Sequence, residues 1–248
     1  MMKANDAMPL DGPRNLRDLG GYPTIDGKRT RMGQFLRSDS PASLTLSDCE
    51  RLYQYGVRTQ VDLRSALECR LNPSPLDGYR DMAYHNVQLL DSLSGNSGSD
   101  GPHMLEMPDT MAPVYMHLLA HAKPGLTEAL RLMLRLPEGC ALFNCTAGKD
   151  RTGVVALLLL KAARCPDEVI IADYAASYGN IQKDLDKIID LYRQNGTPLN
   201  PSLLRSDPEL MEQTLQAFDR EYGAIENWMA LAGFSDQELD ALRTKLVG

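Results

Sequence analysis

The chain has 248 residues, of which 43% are hydrophobic and 24% are charged, the composition of an ordinary globular protein. Its formal net charge of -7 argues against nucleic acid or an anionic membrane surface as a general partner. No apolar run is long enough to span a bilayer, and the N-terminus lacks the apolar core of a signal peptide. We therefore expect a single domain over residues 1–248, without an integral membrane segment and retained in the cytoplasm.

The cysteines are odd in number and scattered, which is not the pattern of a disulfide framework. No clustered cysteine or histidine spacing suggests a zinc site, so neither a metal nor a cofactor is expected. Nothing in the sequence indicates an oligomeric state. The five cysteines are Cys49, Cys69, Cys140, Cys145 and Cys165.

Short β-rich segments and one helix are predicted in the first 90 residues. A hairpin turns at Asp26-Gly27, and a short strand follows at 34–37. A helix begins near Ser47, with Glu50 completing a capping box, and ends at Gly56. The segments "RTQVDLRS" and "YRDMAYHNVQLL" read as two further strands.

A Gly-, Ser- and Pro-rich segment, 91–108, follows and is either a lid or a tolerated insertion. The segment "CALFNC" then reads as a buried strand, and the chain after residue 165 is helical. This order predicts an α/β sheet packed by helices, with a helical C-terminal portion over about 166–248. The predicted helices are 109–122, 124–136, 151–164, 207–222, 224–232 and 235–246, the last capped by Ser235.

The sequence "FNCTAGKDRTG" places a loop between a buried strand and a buried helix. At such a junction the free amides of the helix N-terminus converge, and the helix dipole adds partial positive charge. Gly148 lets the backbone approach a ligand, Arg151 can grip an anion through two hydrogen bonds, and Lys149 adds a point charge. The loop therefore suits a tetrahedral oxyanion, of which a phosphate monoester is the common biological example.

Cys145 begins this loop, where the same groups would stabilise a thiolate. A thiolate beneath a bound phosphate ester can attack phosphorus in line and form a phosphocysteine that water then hydrolyses. Thr152 is expected to donate a hydrogen bond to the sulfur and help it leave. The alternative to a nucleophile is a cysteine that serves only as a small buried apolar side chain. We keep that interpretation for the other four cysteines.

The stretch "CTAGKDRTG" resembles the phosphate loop of the cysteine-dependent protein tyrosine phosphatases, C-x5-R-[ST], and most closely the bacterial branch that reads H-C-x-x-G-K-D-R-T-G. The stretches "RNLRDLGGY", "FLRSD", "VDLRS" and "SDPELMEQTLQAFDREYGAIENWM" also match that branch. The resemblance implies a three-layer α/β/α fold around a mostly parallel sheet. It also implies metal-free hydrolysis of phosphotyrosine, often with phosphoserine, phosphothreonine or phosphoinositides. The partners that the resemblance implies are phosphorylated proteins or phosphoinositides. In the family, the lysine at the position of Lys149 is linked to the broader substrate range. The implied phosphate-binding residues are Thr146, Ala147, Gly148, Lys149, Arg151 and Thr152.

The chain departs from the family in two places. Asn144 stands where the family usually has a histidine, so a less strongly stabilised thiolate and a slower enzyme are expected. The W-P-D loop that usually carries the general acid is absent. The resemblance assigns that role to Asp150, with Asp109 and Asp62 as alternatives that are also explained as a helix cap and as the partner of an arginine.

Other interpretations remain open at this point. A pseudo-phosphatase would bind phosphorylated ligands without turnover, which Asn144 favours and the intact Cys145, Asp150 and Arg151 oppose. An arsenate reductase or a sulfurtransferase is less favoured, because the cysteines are poorly placed for a disulfide relay and a sulfurtransferase does not need the helix-starting Arg-Thr. Charged residues near predicted strand ends either line the cleft or are solvated: Arg17, Asp18, Arg37, Asp39 and Arg64.

Overall fold

A computed structural model of the protein describes residues 8–89, 110–195 and 201–248. The 91–108 segment and Asp109 lie outside these ranges. The strands form one sheet in the order β1-β2-β5-β3-β4, in which β1 is antiparallel to β2 and every other pair is parallel. The strands are β1 (Arg17–Asp18), β2 (Phe35–Ser38), β3 (Val57–Asp62), β4 (Ala83–Asn86) and β5 (Cys140–Asn144).

Helices connect the parallel strands and make up the C-terminal portion, as predicted. Their bounds are α1 (Leu46–Tyr55), α2 (Ala66–Leu71), α3 (Ala112–His121), α4 (Lys123–Arg135), α5 (Asp150–Ala162), α6 (Asp167–Gln194), α7 (Pro208–Tyr222), α8 (Ile225–Leu231) and α9 (Asp236–Leu246). Two short 3-10 helices lie at Pro41–Ser43 and Pro201–Leu204. In the part of the chain that the structure describes, no helix is long and apolar enough to cross a membrane.

The central strand β5 is buried along its whole length and divides the apolar core in two. Phe143 faces a large cluster that includes the apolar residues of α3 to α9. Leu142 faces the opposite way, into a smaller cluster that contains Leu52 of α1. Because successive side chains of a strand point to opposite faces, one strand serves both clusters. The predicted three-layer α/β/α fold with a mostly parallel sheet is confirmed.

The N-terminal cap of α1 differs from the prediction. Thr45, not Ser47, is the capping residue: its hydroxyl accepts from the Asp48 N–H, and Asp48 accepts in return from the Thr45 N–H, both at 3.1 Å. Asp48 also accepts from the N–H of Asp11 and of Gly12. This tertiary use of Asp48 favours the earlier helix start, because the carboxylate then caps the helix and holds the N-terminal segment together.

The other differences are small. The hairpin at Asp26-Gly27 has the predicted turn, and backbone hydrogen bonds join Thr24 to Lys28 and Tyr22 to Thr30, but its two arms are too short to form regular strands. The sequence analysis missed β1 and α2. The predicted helix at 109–122 is shorter in the described residues, where it starts at Ala112. The capping of α9 by Ser235 is confirmed.

The capping of α1 can be tested with a matched pair of substitutions. We expect Thr45→Ala to lower the free energy of unfolding by about 1 kcal/mol, because the Asp48 amide loses its acceptor. Ser47→Ala, which the sequence pattern alone would make the damaging change, should alter it by less than about 0.5 kcal/mol. Urea denaturation measures both. An effect of Ser47→Ala equal to or larger than that of Thr45→Ala would contradict the assigned cap.

Candidate active site

Cys145 follows β5 directly at the carboxyl end of the parallel strands, and α5 begins five residues later at Asp150. We call residues 145–151 the phosphate loop. Gly148 has a φ of +65°, and a Cβ at this position would lie 2.5 Å from the carbonyl oxygen of Ser38. The loop therefore passes so close to the end of β2 that only glycine fits.

Three successive carbonyl groups of the phosphate loop, those of residues 146–148, are held from outside. The backbone N–H of Ser40 donates to the first at 2.9 Å. Asn15 Nδ2 donates to the second at 2.9 Å and to the third at 3.1 Å, and Arg37 donates to the third at 2.8 Å. Because a trans peptide places its N–H opposite its C=O, the amides of residues 147–149 point the other way, into the loop.

Within the described residues, the backbone amides of residues 146–149 find no acceptor. Several unpaired amides beside a helix N-terminus are suited to an anion that accepts from them. We call the space that these amides face the cradle.

The side chains behind the cradle meet at one buried carboxylate, Asp173 of α6. It accepts from Arg17 Nε and Tyr22 Oη, each at 3.0 Å, and from Arg37. Arg17 also holds the Asn15 side chain, through a 2.6 Å hydrogen bond to its Oδ1. Burial by itself would raise the pKa of Asp173, but the two arginines outweigh it and lower the pKa.

Arg151 is 7% exposed and forms a two-pronged ion pair with Glu68 of α2, with both N–O distances at 2.8 Å. Glu68 also accepts from the Thr146 hydroxyl and from the Ser65 N–H, so it joins α2 to the phosphate loop. The Arg151 hydrogen bond is the main reason that the pKa of Glu68 lies far below its usual range. Arg151 Nε donates to none of the described residues, which leaves that edge of the guanidinium for a phosphate.

Cys145 itself is 3% exposed and lies at the base of the loop. The hydroxyl of Thr152, one turn into α5, is buried and has no hydrogen-bond partner among the described residues. The predicted hydrogen bond from Thr152 to the cysteine sulfur is therefore not formed in this structure. The hydroxyl remains a free donor near the N-terminus of α5.

Asn144 and Asp62 connect the strand of the nucleophile to its neighbour β3. Asn144 accepts from Gln60 at 2.8 Å and donates to Asp62 at 3.1 Å. The Asp62 carboxylate is buried and also accepts three hydrogen bonds from the Arg64 guanidinium, the shortest at 2.6 Å. Such a carboxylate is already fully engaged, which favours the structural role of Asp62 over a role as general acid.

Asp150 and Lys149 occupy the start of α5. One carboxylate oxygen of Asp150 accepts from the Tyr115 hydroxyl and, at 2.8 Å, from the Lys149 ammonium. Lys149 also donates to the backbone carbonyls of Leu203, at 3.1 Å, and Arg205, at 3.2 Å. The ammonium is thus bound to the C-terminal portion of the chain, whereas the amides of the loop converge on the cradle.

Sequence reasoning missed several residues that support the loop. The analysis treated Arg17, Arg37 and Arg64 as cleft-lining or solvated charges, but they are at most 1% exposed and serve as internal supports. No local sequence pattern indicated a supporting role for Asn15, Asp173 or Tyr115. Glu68 did have one, since Ser65-x-x-Glu68 is a capping-box pattern, and the structure confirms it. In the described ranges, no group of three or more histidine, cysteine or acidic side chains could hold a metal.

This combination of a mostly parallel α/β sheet and an amide-lined loop that starts with cysteine defines the class of protein. The chain belongs to the tyrosine phosphatase family, whose model matches residues 8–248. It is 30% identical to a tyrosine-protein phosphatase of Nostoc commune over 86% of this chain and 74% of the relative. It is 31% identical to a putative tyrosine-protein phosphatase of Cupriavidus necator over 90% of this chain and 82% of the relative. It is also 27% identical to the triple specificity protein phosphatase PtpB of Mycobacterium tuberculosis, over 96% and 98% of the two chains.

The buried carboxylate behind the cradle can be tested through stability and pH. We expect Asp173→Asn to lower the free energy of unfolding at pH 7 by about 3–5 kcal/mol, because two buried arginines lose their counter-charge. Since the folded pKa of Asp173 lies below its unfolded value, its stabilisation is present above that unfolded value and is lost as the pH falls through the folded one. The difference from wild type in urea denaturation should therefore shrink below about pH 4.

The matched control is Asp240→Asn, which removes a carboxylate that is 78% exposed. It should change the free energy of unfolding by less than about 1 kcal/mol. Equal losses in the two variants, or a difference for Asp173→Asn that does not vary with pH, would contradict the role given to Asp173.

Proposed function

We propose that this phosphatase hydrolyses phosphate monoesters through a phosphocysteine at Cys145. The observation that carries the proposal is that three carbonyls of the loop after Cys145 are held from outside, which leaves the intervening amides free to donate to a ligand. A phosphoryl group bound there would accept from these amides and from the free edge of Arg151. Donors fixed before the substrate arrives stabilise the transition state without reorganisation.

In the first step, the Cys145 thiolate attacks phosphorus, and the S–P bond forms as the bond to the leaving oxygen breaks. Asp150 gives its proton to that oxygen, so an alcohol or phenol departs. In the second step, water attacks phosphorus and loses a proton to Asp150. The S–P bond breaks, inorganic phosphate is released, and Thr152 donates to the departing thiolate.

Tyr115 gives Asp150 a defined position for these steps. Its hydroxyl contacts both the Asp150 carboxylate and, at 2.7 Å, the hydroxyl of Tyr174. Burial and then the charge of Asp150 raise the pKa of Tyr115 well above its usual value, so this hydroxyl stays protonated and acts as a donor. No comparable argument supports Asp62 or Asp109 as the general acid. Asp62 is engaged with Arg64, and Asp109 lies outside the described residues.

We further propose phosphotyrosine as the primary substrate, with phosphoserine, phosphothreonine or phosphoinositides also accepted. The name of the Mycobacterium tuberculosis relative, a triple specificity protein phosphatase, supports a broad substrate range. For Lys149 to contact a substrate phosphate, its ammonium would have to leave the carbonyls of Leu203 and Arg205. Proteins or phosphoinositides that carry such groups would then be the partners.

Single-turnover kinetics with p-nitrophenyl phosphate test the covalent intermediate. Wild-type protein should release one equivalent of nitrophenol in a burst, and chelator should not change it, because no metal takes part in the mechanism. Cys145→Ser should lose the burst, and turnover should fall by at least about 10³-fold. Cys140→Ser is the matched control, since it changes a buried cysteine of the same strand, and it should keep the burst. A wild-type protein that binds the ester without turnover would indicate the pseudo-phosphatase instead.

Leaving-group dependence tests the assignment of Asp150. General acid catalysis matters most when the departing oxygen is strongly basic. We therefore expect Asp150→Asn to reduce kcat/KM for phenyl phosphate by about 10²-fold or more, and for p-nitrophenyl phosphate by much less. Tyr115→Phe should also reduce kcat/KM for both esters, by a smaller factor than Asp150→Asn does. Equal losses for the two esters in Asp150→Asn would assign Asp150 to the support of the loop rather than to proton transfer.

A further inference from the structure

A second cationic cavity lies far from the phosphate loop. Its volume is about 410 Å³, and it is bounded by the hairpin, by the C-terminal end of α5 and by the end of α9. The phosphate loop leads into the first residue of α5, whereas this cavity borders its last. Thirteen helical residues separate the two sites by roughly 20 Å. We call this second site the distal cavity.

Positive charge dominates the lining of the distal cavity in a chain whose net charge is -7. Four cationic side chains line it, Lys28, Arg31, Arg164 and Arg243, against one acidic side chain, that of Asp26. Arg164 pairs with Asp26 at 3.1 Å, and Arg243 donates to the carbonyl of Ala162 at 3.1 Å and to Glu226.

Lys28 and Arg31 have no acidic partner within the described residues, although both side chains border the cavity. Cations near a helix C-terminus complement its dipole, which accounts for Arg164 and Arg243. It does not account for Lys28 and Arg31, which come from the hairpin. Four cations from three separate elements thus surround one space of the size that small-molecule sites have.

Arg164 occupies this position at a conformational cost. The end of α5 is a Schellman motif, in which the Arg164 N–H bonds to the Lys161 carbonyl and the Cys165 N–H to the Leu160 carbonyl. The residue in the position of Arg164 has left-handed backbone, here with φ +59°, and is usually glycine. An arginine held in such a conformation points to a task for its side chain, because the helix end alone would favour glycine.

We propose that the distal cavity binds a small polyanion that carries at least two phosphate groups. Arg31, Lys28 and Arg164 would supply charge-assisted hydrogen bonds to the phosphoryl oxygens, and Asp26 would release Arg164 to the ligand. A guanidinium engages two oxygens of one phosphate, so two arginines and a lysine match two linked phosphates. Binding at the distal cavity is independent of the phosphate loop, since none of its lining residues contributes to the loop.

Pyrophosphate is the probe, titrated calorimetrically at 0.15 M NaCl into protein that carries Cys145→Ser to prevent turnover. We expect two sites, the phosphate loop and the distal cavity. Adding Lys28→Ala and Arg31→Ala should weaken pyrophosphate binding at the distal cavity by about tenfold or more. The phosphate loop would then be the one site detected. Adding Arg151→Met instead should remove the other site and keep the distal one.

The matched control is Lys183→Ala with Arg220→Ala, which removes one lysine and one arginine that are exposed and lie outside the cavity. It should retain both sites. Arg164→Gly offers an independent variant, because glycine suits the left-handed backbone and removes only the side chain. It should weaken distal binding without lowering the melting temperature. A single site in the Cys145→Ser protein, or equal weakening in the two double variants, would overturn the proposal.

Discussion

The active site depends on one buried carboxylate, that of Asp173, which lies on a helix far along the chain from the phosphate loop. It receives Arg17 and Arg37, and these in turn hold the loop, Arg37 directly and Arg17 through Asn15. Two cations facing one anion in a buried space would be unstable without further acceptors, and the backbone carbonyls of Gly148, Asn15 and Asp173 provide them. The same contacts that satisfy the arginines therefore orient the loop.

This arrangement connects the helical C-terminal portion to the candidate active site. Asp173 belongs to α6, and the carbonyls that hold Lys149 belong to the 3-10 helix at Pro201–Leu204 and to Arg205. One segment supports the loop from behind, and the other holds the ammonium beside Asp150. A change in the position of these helices would alter the direction of the loop amides without a change in any residue that contacts substrate.

Asn144, the departure from the usual family pattern, is a satisfied member of a buried network. Its oxygen accepts from Gln60, whose own oxygen accepts from Ser74 at 2.7 Å, and its nitrogen donates to Asp62. A neutral amide adds no charge beside Cys145. In the proposed mechanism, the loop amides, the N-terminus of α5 and Arg151 would provide the positive charge around the cysteine sulfur.

The sequence by itself determined the local chemistry of this protein. The spacing from Cys145 to Arg151, the glycine at 148 and the strand and helix on either side are contained in one short stretch. Hydrophobic periodicity was enough to predict an α/β sheet packed by helices and the C-terminal helices, whereas the mostly parallel sheet followed from the family resemblance. Tertiary structure alone decided which side of the loop carries its carbonyls, because Asn15 and Arg37 lie 133 and 111 residues from Gly148 in the chain. It also chose Thr45 over Ser47 as a cap, through the contacts of Asp48 with residues 11 and 12. A local sequence pattern reflects the propensity and chemistry of residues that are neighbours in the chain. A buried charge acquires its role only when folding brings its partners within hydrogen-bond distance.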